Sequence, residues 1–264
     1  MTHIARDPAA YVFFLGGRDL EMVTIRGLLQ EEAPGRWHDR GLDWGAKASA
    51  YAAEIEAALV GGRIPVLVEL QLDVPLPPSG YLVIDHHDDQ AVGRPTALEQ
   101  VSALLQLPGS RWTRWFELVA ANDRGHIRAM LALDPSATVE EIQAVRAADR
   151  AAQGMTSDEE RQAATAAAGS RVLADGRLTV LELPHERASA SVDWLEPALG
   201  GPGYENVLVY SPHSVNFFGD RRVIDGLLAR FPGGGSGGAS RDYGYWWHAS
   251  VRPMAEEVEA LVGR

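Results

Sequence analysis

The stretch Tyr81-Leu82-Val83-Ile84-Asp85-His86-His87 runs from apolar residues directly into a carboxylate and two imidazoles. Its apolar part reads as a buried parallel strand, and open α/β sheets place their ligands at the C-terminal ends of such strands. Asp and His side by side at that edge suit a borderline metal such as manganese, zinc or iron. Another carboxylate, Glu69, lies inside the apolar run Val66-Leu67-Val68-Glu69-Leu70. A buried carboxylate needs a partner or a metal. Asp19 and Glu21 lie near the start of a predicted helix, where the dipole favours acidic side chains. There are no cysteines, so disulfides, thiolate metal sites and cysteine nucleophiles are excluded, and any metal must sit on His, Asp or Glu.

These residues need elements to position them. Tyr11 to Leu15 reads as a first buried strand, with Gly16-Gly17 as the turn into a helix. Residues 43–59 have the Ala-rich spacing of a helix stopped by Gly61-Gly62. Val66 to Leu70 is the next strand, ended by the Pro-rich Val74 to Pro78, and the Asp-His-His strand follows. Helices are expected over 95–107 and 111–121. Strands and helices alternating in this way predict a parallel sheet covered on both faces. Residues 138–168 turn Ala-, Glu-, Gln- and Arg-rich and read as a helical connector with a break near Gly154. Beyond it, strands are expected over 177–183 and 207–210 and a helix over 220–231, leading into the glycine run 233–238. The expected fold class is α/β, a mainly parallel sheet flanked by helices with a second, smaller mixed α/β domain. The boundaries read as a first domain over 1–135, the connector over 136–170, and a second domain over 171–264.

Composition narrows the partners. With 264 residues, 46% hydrophobic and 23% charged, the chain is long enough for one large domain or two modest ones. A net charge of −12 opposes long-range attraction of a polyanion, so a small phosphorylated substrate is easier to accept than duplex DNA. The first residues lack the basic-then-apolar layout of a secretory signal, and no apolar run approaches membrane length. The expectation is a cytoplasmic protein without a membrane partner; a homo-oligomer is compatible with it.

Ile84-Asp85-His86-His87 resembles the signature of the DHH phosphoesterase superfamily, and other parts of the chain resemble that family in the same order. Asp19-Leu20-Glu21 stands where the family carries Asp-x-Asp after its first strand. Glu69 stands where an acidic residue ends the next strand, with Asp73 a nearby substitute. Thr96 and Glu99 match a Thr and a Glu on the following helix, and Asn122-Asp123-Arg124-Gly125 is similar to the turn carrying the fourth motif. The resemblance covers roughly the first 130 residues. The C-terminal part is similar to the family's small substrate-binding domain, whose Gly-Gly-Gly-His loop corresponds to Gly233-Gly234-Gly235-Ser236-Gly237.

The resemblance implies a metal-dependent phosphoesterase cleaving a phosphate ester of a small nucleotide or very short oligonucleotide. It implies a divalent cofactor, manganese being the family's usual choice, with one or two ions left open. Glu21, Glu69, His86 and Asp123 would hold one ion, Asp19 and Glu69 the other, and Asp85 belongs to the same ligand set. Asp85 and His87 are the catalytic candidates, with His87 contacting the phosphate. Gly233, Gly234, Gly235, Ser236 and Gly237, assisted by Arg221, Arg222 and Arg241, would bind the substrate through backbone amides and charge. The sequence departs from the family pattern at Leu15, where a metal-binding His is usual, at Glu21 and Glu69 in place of aspartates, and at Ser236 in place of the loop His. His38, Asp39 or His126 could replace the missing ligand. These departures also suit a degenerate member that binds a nucleotide or a protein without turnover. The alternative reading of the glycine run is a linker; Trp246 and Trp247 read as packing residues, with a base-stacking surface formed with Tyr243 and Tyr245 as the alternative.

Overall fold

The computed structural model describes residues 7–86, 93–238 and 242–263. They divide into two compact units, one from the described residues of 1–86 and 95–120 and the other from those of 87–94 and 121–264. Both units are α/β.

In the first unit, β1 (Tyr11–Leu15), β2 (Trp37–Asp39), β3 (Ile64–Val68) and β4 (Leu82–Ile84) form a parallel sheet in the order β2-β1-β3-β4. Helix α1 (Leu20–Glu32) joins β1 to β2, and α2 (Ala52–Val60) joins β2 to β3. Every residue of β3 and four of the five in β1 are buried, as expected of strands covered on both faces. One face carries Phe14 and Leu67 packed with Ala48, Tyr51, Ile55 and Ala58. α1 packs with α3 (Ala97–Leu104), which starts on a capping box formed by Thr96 and Glu99.

Several boundaries differ from the sequence reading. The helix expected over 43–59 begins only at Ala52, after a 3-10 turn over Ala48–Tyr51. Gly45 has a left-handed backbone, and the Asp73 carboxylate accepts from both the amide and the hydroxyl of Ser49, so the preceding chain is held as a loop. The strand expected over 66–70 stops at Val68 because Glu69 turns to φ +52°. Strand β2 was not anticipated. Its three residues are polar or aromatic without alternation, and pairing with β1 together with the His38 ring stacked on Phe14 at 5.0 Å holds them.

The division between units falls within α4 (Arg114–Leu131), whose helical geometry breaks at Gly125 and His126. The second unit continues with α5 (Val139–Ala152) and α6 (Ser157–Ala168), each opened by a Thr/Glu capping box and separated by Gly154 at φ +74°. Its sheet is mixed: β5 (Arg171–Leu173), β6 (Leu178–Glu182), β7 (Asn206–Tyr210), β8 (Val215–Asp220), β9 (Gly235–Gly237) and β10 (Tyr243–His248), ordered β5-β6-β7-β8-β10-β9. Only β6 and β7 run parallel. Alternation along β7 serves two cores. Leu208 and Tyr210 join α8 (Arg221–Arg230) and α9 (Ala255–Val262), while Val207 and Val209 join α6 and the short α7 (Ser189–Asp193). Among the described residues no helix is long and apolar enough to cross a membrane.

Candidate metal centre

The chain leaves β1 for β2 on one side and returns through α2 to β3 on the other, so the strand order reverses between β1 and β3. The crevice beyond the C-terminal ends of two such strands is where an open α/β sheet binds its ligand. Here those ends are Leu15-Gly16-Gly17 and Val68-Glu69.

At that point the backbone is shaped around Glu69. The Gly16 amide donates to the Val68 carbonyl at 2.9 Å, and the Glu69 amide donates to the Ile84 carbonyl at 2.8 Å. A non-glycine residue in the left-handed region costs about 1–2 kcal/mol, so φ +52° at Glu69 is a strain the surroundings must hold. A Cβ on Gly16 would stand 2.5 Å from the Glu69 carbonyl oxygen, and one on Gly17 would stand 3.2 Å from its Oε2. The two glycines therefore do more than turn the chain: Gly16 clears space for the Glu69 backbone and Gly17 for its carboxylate.

Glu21 reaches the same point from the first turn of α1, and only 2% of it is exposed. Its Oε1 accepts from the Leu98 amide at 2.9 Å, in the first turn of α3, where the helix dipole favours a negative charge. Its Oε2 lies 3.5 Å from His86 Nε2, and Glu69 Oε1 lies 3.4 Å from the same nitrogen. His86 is 4% exposed, and one ligand atom from each of the three residues lies within 4.8 Å of the others. Two buried carboxylates facing one imidazole form a donor set that favours a cation, because burying carboxylates away from water is costly. The spacing fits a shared ion: two ligand atoms each roughly 2.1 Å from one metal stand about 3–3.5 Å apart. A set of two oxygens and one nitrogen suits manganese, iron or zinc.

The other sequence candidates are distributed as follows. Asp19 caps α1, accepting from the Met22 amide at 2.9 Å through Oδ1 and from Trp44 Nε1 at 3.3 Å through Oδ2. Asp85 is half-buried between β4 and His86. Asp123 is half-buried in α4, two residues before the break, and belongs to the second unit. His87 and Arg241 lie outside the described residues. Leu15 is fully in the core, and its carbonyl accepts from the Tyr51 hydroxyl at 2.7 Å. Of the residues considered as replacements, His38 is stacked on Phe14 and Asp39 pairs with Arg26 at 2.5 Å. His126 holds φ +51° at the α4 break; burial, and next the Arg146 charge, pull its pKa down to about 4, so it is neutral near pH 7. Asp73 is engaged by Ser49, whose hydroxyl holds its carboxyl below the usual range.

The glycine run is not a linker. Gly235–Gly237 is an edge strand paired with Tyr245, Trp246 and Trp247. A Cβ at Gly234 would stand 2.6 Å from the Trp247 carbonyl, and those at Gly235 and Gly237 would overlap the Trp247 and Tyr245 rings. Close packing of aromatics thus accounts for these glycines. Arg221 donates to the Gly238 carbonyl at 2.6 Å, and exposed Arg222 pairs with Asp220, holding that carboxyl below its usual range. Ser236 is half-buried between the paired glycines.

Three features of the structure were not read from sequence: the Leu98 amide on Glu21, Trp44 beside Asp19, and the buried Arg146. The Thr96–Glu99 capping box was a visible signal for the first. Arg146 bonds Asp193, Asp149 and Asn122, each at 2.8 Å, tying α7, α5 and α4 together. An Arg on an Ala-rich helix that also carries Arg150 gives no such signal.

No family model matches the chain, and no curated protein matches it. Among solved structures it is similar to a pGpG-specific phosphodiesterase, PggH, from Vibrio cholerae, at 11% identity, with 96% of this chain and 97% of that one covered and a TM-score of 0.41. It is similar to exonuclease RecJ bound to manganese, at 12% identity over 96% and 89% of the two chains, with a TM-score of 0.39. It is also similar to an exopolyphosphatase-related protein from Bacteroides fragilis, at 11% identity over 96% and 90%, with a TM-score of 0.49. At these identities and scores, any function has to stand on the chain's own residues.

Proposed function

We propose that this chain is a DHH-type, metal-dependent phosphoesterase acting on a phosphate ester of a small nucleotide or very short oligonucleotide. The observation that carries the reading is the buried Glu21–Glu69–His86 cluster at the sheet's switch point, built from three segments that resemble the family's motifs in order. Glu21, Glu69 and His86 would hold a divalent ion, manganese in the family's habit. Asp19, Asp85 and Asp123 are the proposed additional ligands. When bound, such an ion supplies Lewis acidity to a phosphoryl oxygen and makes a water a stronger nucleophile near neutral pH. The protein's part is positional. The Leu98 amide fixes one oxygen of Glu21 and leaves the other toward His86. For Nε2 to bind a metal it must be unprotonated, so the His86 proton belongs on Nδ1. His87 is the proposed phosphate contact and Asp85 its neighbour in the catalytic pair. Gly233, Gly234, Gly235, Ser236, Gly237, Arg221, Arg222 and Arg241 are the proposed substrate set. The net charge of −12 favours short substrates over long polyanions.

The test is metal content and turnover together. Protein purified without chelator should carry stoichiometric divalent metal and hydrolyse a dinucleotide, and His86→Ala should lose both while keeping its fold. Full manganese occupancy in that variant would overturn the ligand assignment. The rival reading, a binding protein without turnover, is favoured by the buried Leu15 where the family carries a His; it predicts wild-type protein that binds the dinucleotide and leaves it intact.

A further inference from the structure

Trp44 is half-exposed at 50%, beside a site otherwise made of buried charges. It lies in the loop before the Ala48–Tyr51 turn, next to Gly45 with its left-handed backbone. Its indole N–H donates to Asp19 Oδ2 at 3.3 Å, which fixes the ring by its edge and leaves ring surface in solvent. It is also close to the cluster. A Cβ on Gly17 would lie 3.2 Å from Glu69 Oε2 and 3.9 Å from Trp44 Cδ1, so ring and carboxylate are no more than about 7 Å apart. A large aromatic held by its polar edge and left half in water forgoes burial energy available elsewhere in the fold. A flat, pre-oriented π-surface one short step from a phosphoryl site is what a nucleobase stacks on, and stacking tolerates any base because every base has a π-face.

We infer that Trp44 is the stacking platform for a nucleobase of the substrate whose phosphate enters the Glu21–Glu69–His86 centre. This rests on the phosphoesterase reading and adds a substrate class: compounds with a base within one nucleotide of the scissile phosphate, in preference to base-free phosphates. Asp19 thereby has a second duty, orienting the ring through the indole N–H.

The test is equilibrium binding by calorimetry, with manganese present, of a non-hydrolysable 5′-phosphorylated dinucleotide analogue and its abasic counterpart. Wild type, Trp44→Ala, Trp44→Phe and Trp44→Leu are compared, each checked for an unchanged melting temperature. Trp44→Ala should bind the dinucleotide roughly five- to a hundredfold more weakly. Trp44→Phe, which keeps a π-face but loses the bond to Asp19, should recover most of that loss; Trp44→Leu, with bulk but no π-face, should not. All four proteins should bind the abasic compound alike. Equal losses for both ligands, or a Leu variant as good as the Phe one, would overturn the inference and leave Trp44 as a packing neighbour of Asp19. If wild type hydrolyses the natural dinucleotide yet binds the two analogues equally, the stacking inference falls while the phosphoesterase reading stands. If wild type binds neither, both fall.

Discussion

Glu69 carries two burdens that the fold does not need. Its left-handed backbone costs about 1–2 kcal/mol in a non-glycine residue. Its carboxylate, with the side chain 6% exposed, shares one imidazole with the equally buried Glu21. Replacing Glu69 with Gly removes both. Against the strain relief stands about 0.4–1 kcal/mol of extra unfolded-state entropy for glycine. The vacated space is lined by polar atoms and can take water. In chelator the Glu69→Gly protein should therefore be more stable than wild type by about 0.5–1 kcal/mol. At roughly 2–4 °C per kcal/mol, that is a small but measurable rise in melting temperature. Adding manganese should reverse the order: at a hundred times its dissociation constant a ligand adds about 2.7 kcal/mol to a protein that binds it, and the variant should gain far less. Glu69→Gln separates the two burdens, since it keeps the backbone strain and removes only the charge. Scanning calorimetry of the three proteins with and without manganese decides the matter. A chelated Glu69→Gly protein less stable than wild type by more than about 1 kcal/mol would mean that Glu69 holds the fold together, and the reasoning here would fail. An equal manganese gain would mean that Glu69 is not a ligand.

Other expectations follow from the second unit. Gly235→Ala should destabilise by about 1–3 kcal/mol through overlap with the Trp247 ring, and Trp247→Ala should restore most of it in the double variant; Gly234→Ala should not be rescued, because its Cβ meets the Trp247 backbone. Urea midpoints of the single and double variants check this. Arg146→Ala should cost about 3–5 kcal/mol by taking the Arg146 cation from buried Asp149, while Asp193 keeps Arg150. In the wild type, His126 has its pKa pulled from 6.5 to about 4, so the unfolded chain takes up a proton that the folded one refuses. Stability should fall as pH drops from about 6.5 to 4, by roughly 3 kcal/mol at 1.36 kcal/mol per unit. His126→Asn, a polar residue without an ionisable group, should remove that slope in urea midpoints measured over the same window.

The parts of this molecule legible in its sequence are those governed by local chemistry. Apolar runs gave β1, β3 and β7 close to their true limits, and Thr-x-x-Glu boxes open α3, α5 and α6. The strands left unread, β2, β5, β8, β9 and β10, owe their state to the strands they pair with: Trp37-His38-Asp39 is extended because β1 lies beside it. The glycine run shows the same division. As sequence it suits an anion cradle, with a linker as the alternative; in the fold it is an edge strand whose missing side chains make room for Trp246, Trp247 and Tyr245.

The site divides along the same line. Each of Glu21, Glu69 and His86 could be suspected from residue type and strand-end position, yet what makes them one centre is not local. The strand order must reverse between β1 and β3 to open the crevice, and Gly16-Gly17 must lack side chains for Glu69 to enter it. α3 must then point its first turn at Glu21. Each condition is met by a residue whose identity looks unremarkable in isolation: two glycines, a capping threonine, a leucine that contributes only its amide. That pattern also limits what substitution at the ligands can reveal. Changing Glu21 or His86 removes a ligand, whereas changing Gly16 or Thr96 leaves every ligand in the sequence and displaces one of them. If the centre works as a unit, Thr96→Ala should weaken manganese binding while Glu21, Glu69 and His86 all remain, because loss of the cap loosens the turn that holds Glu21.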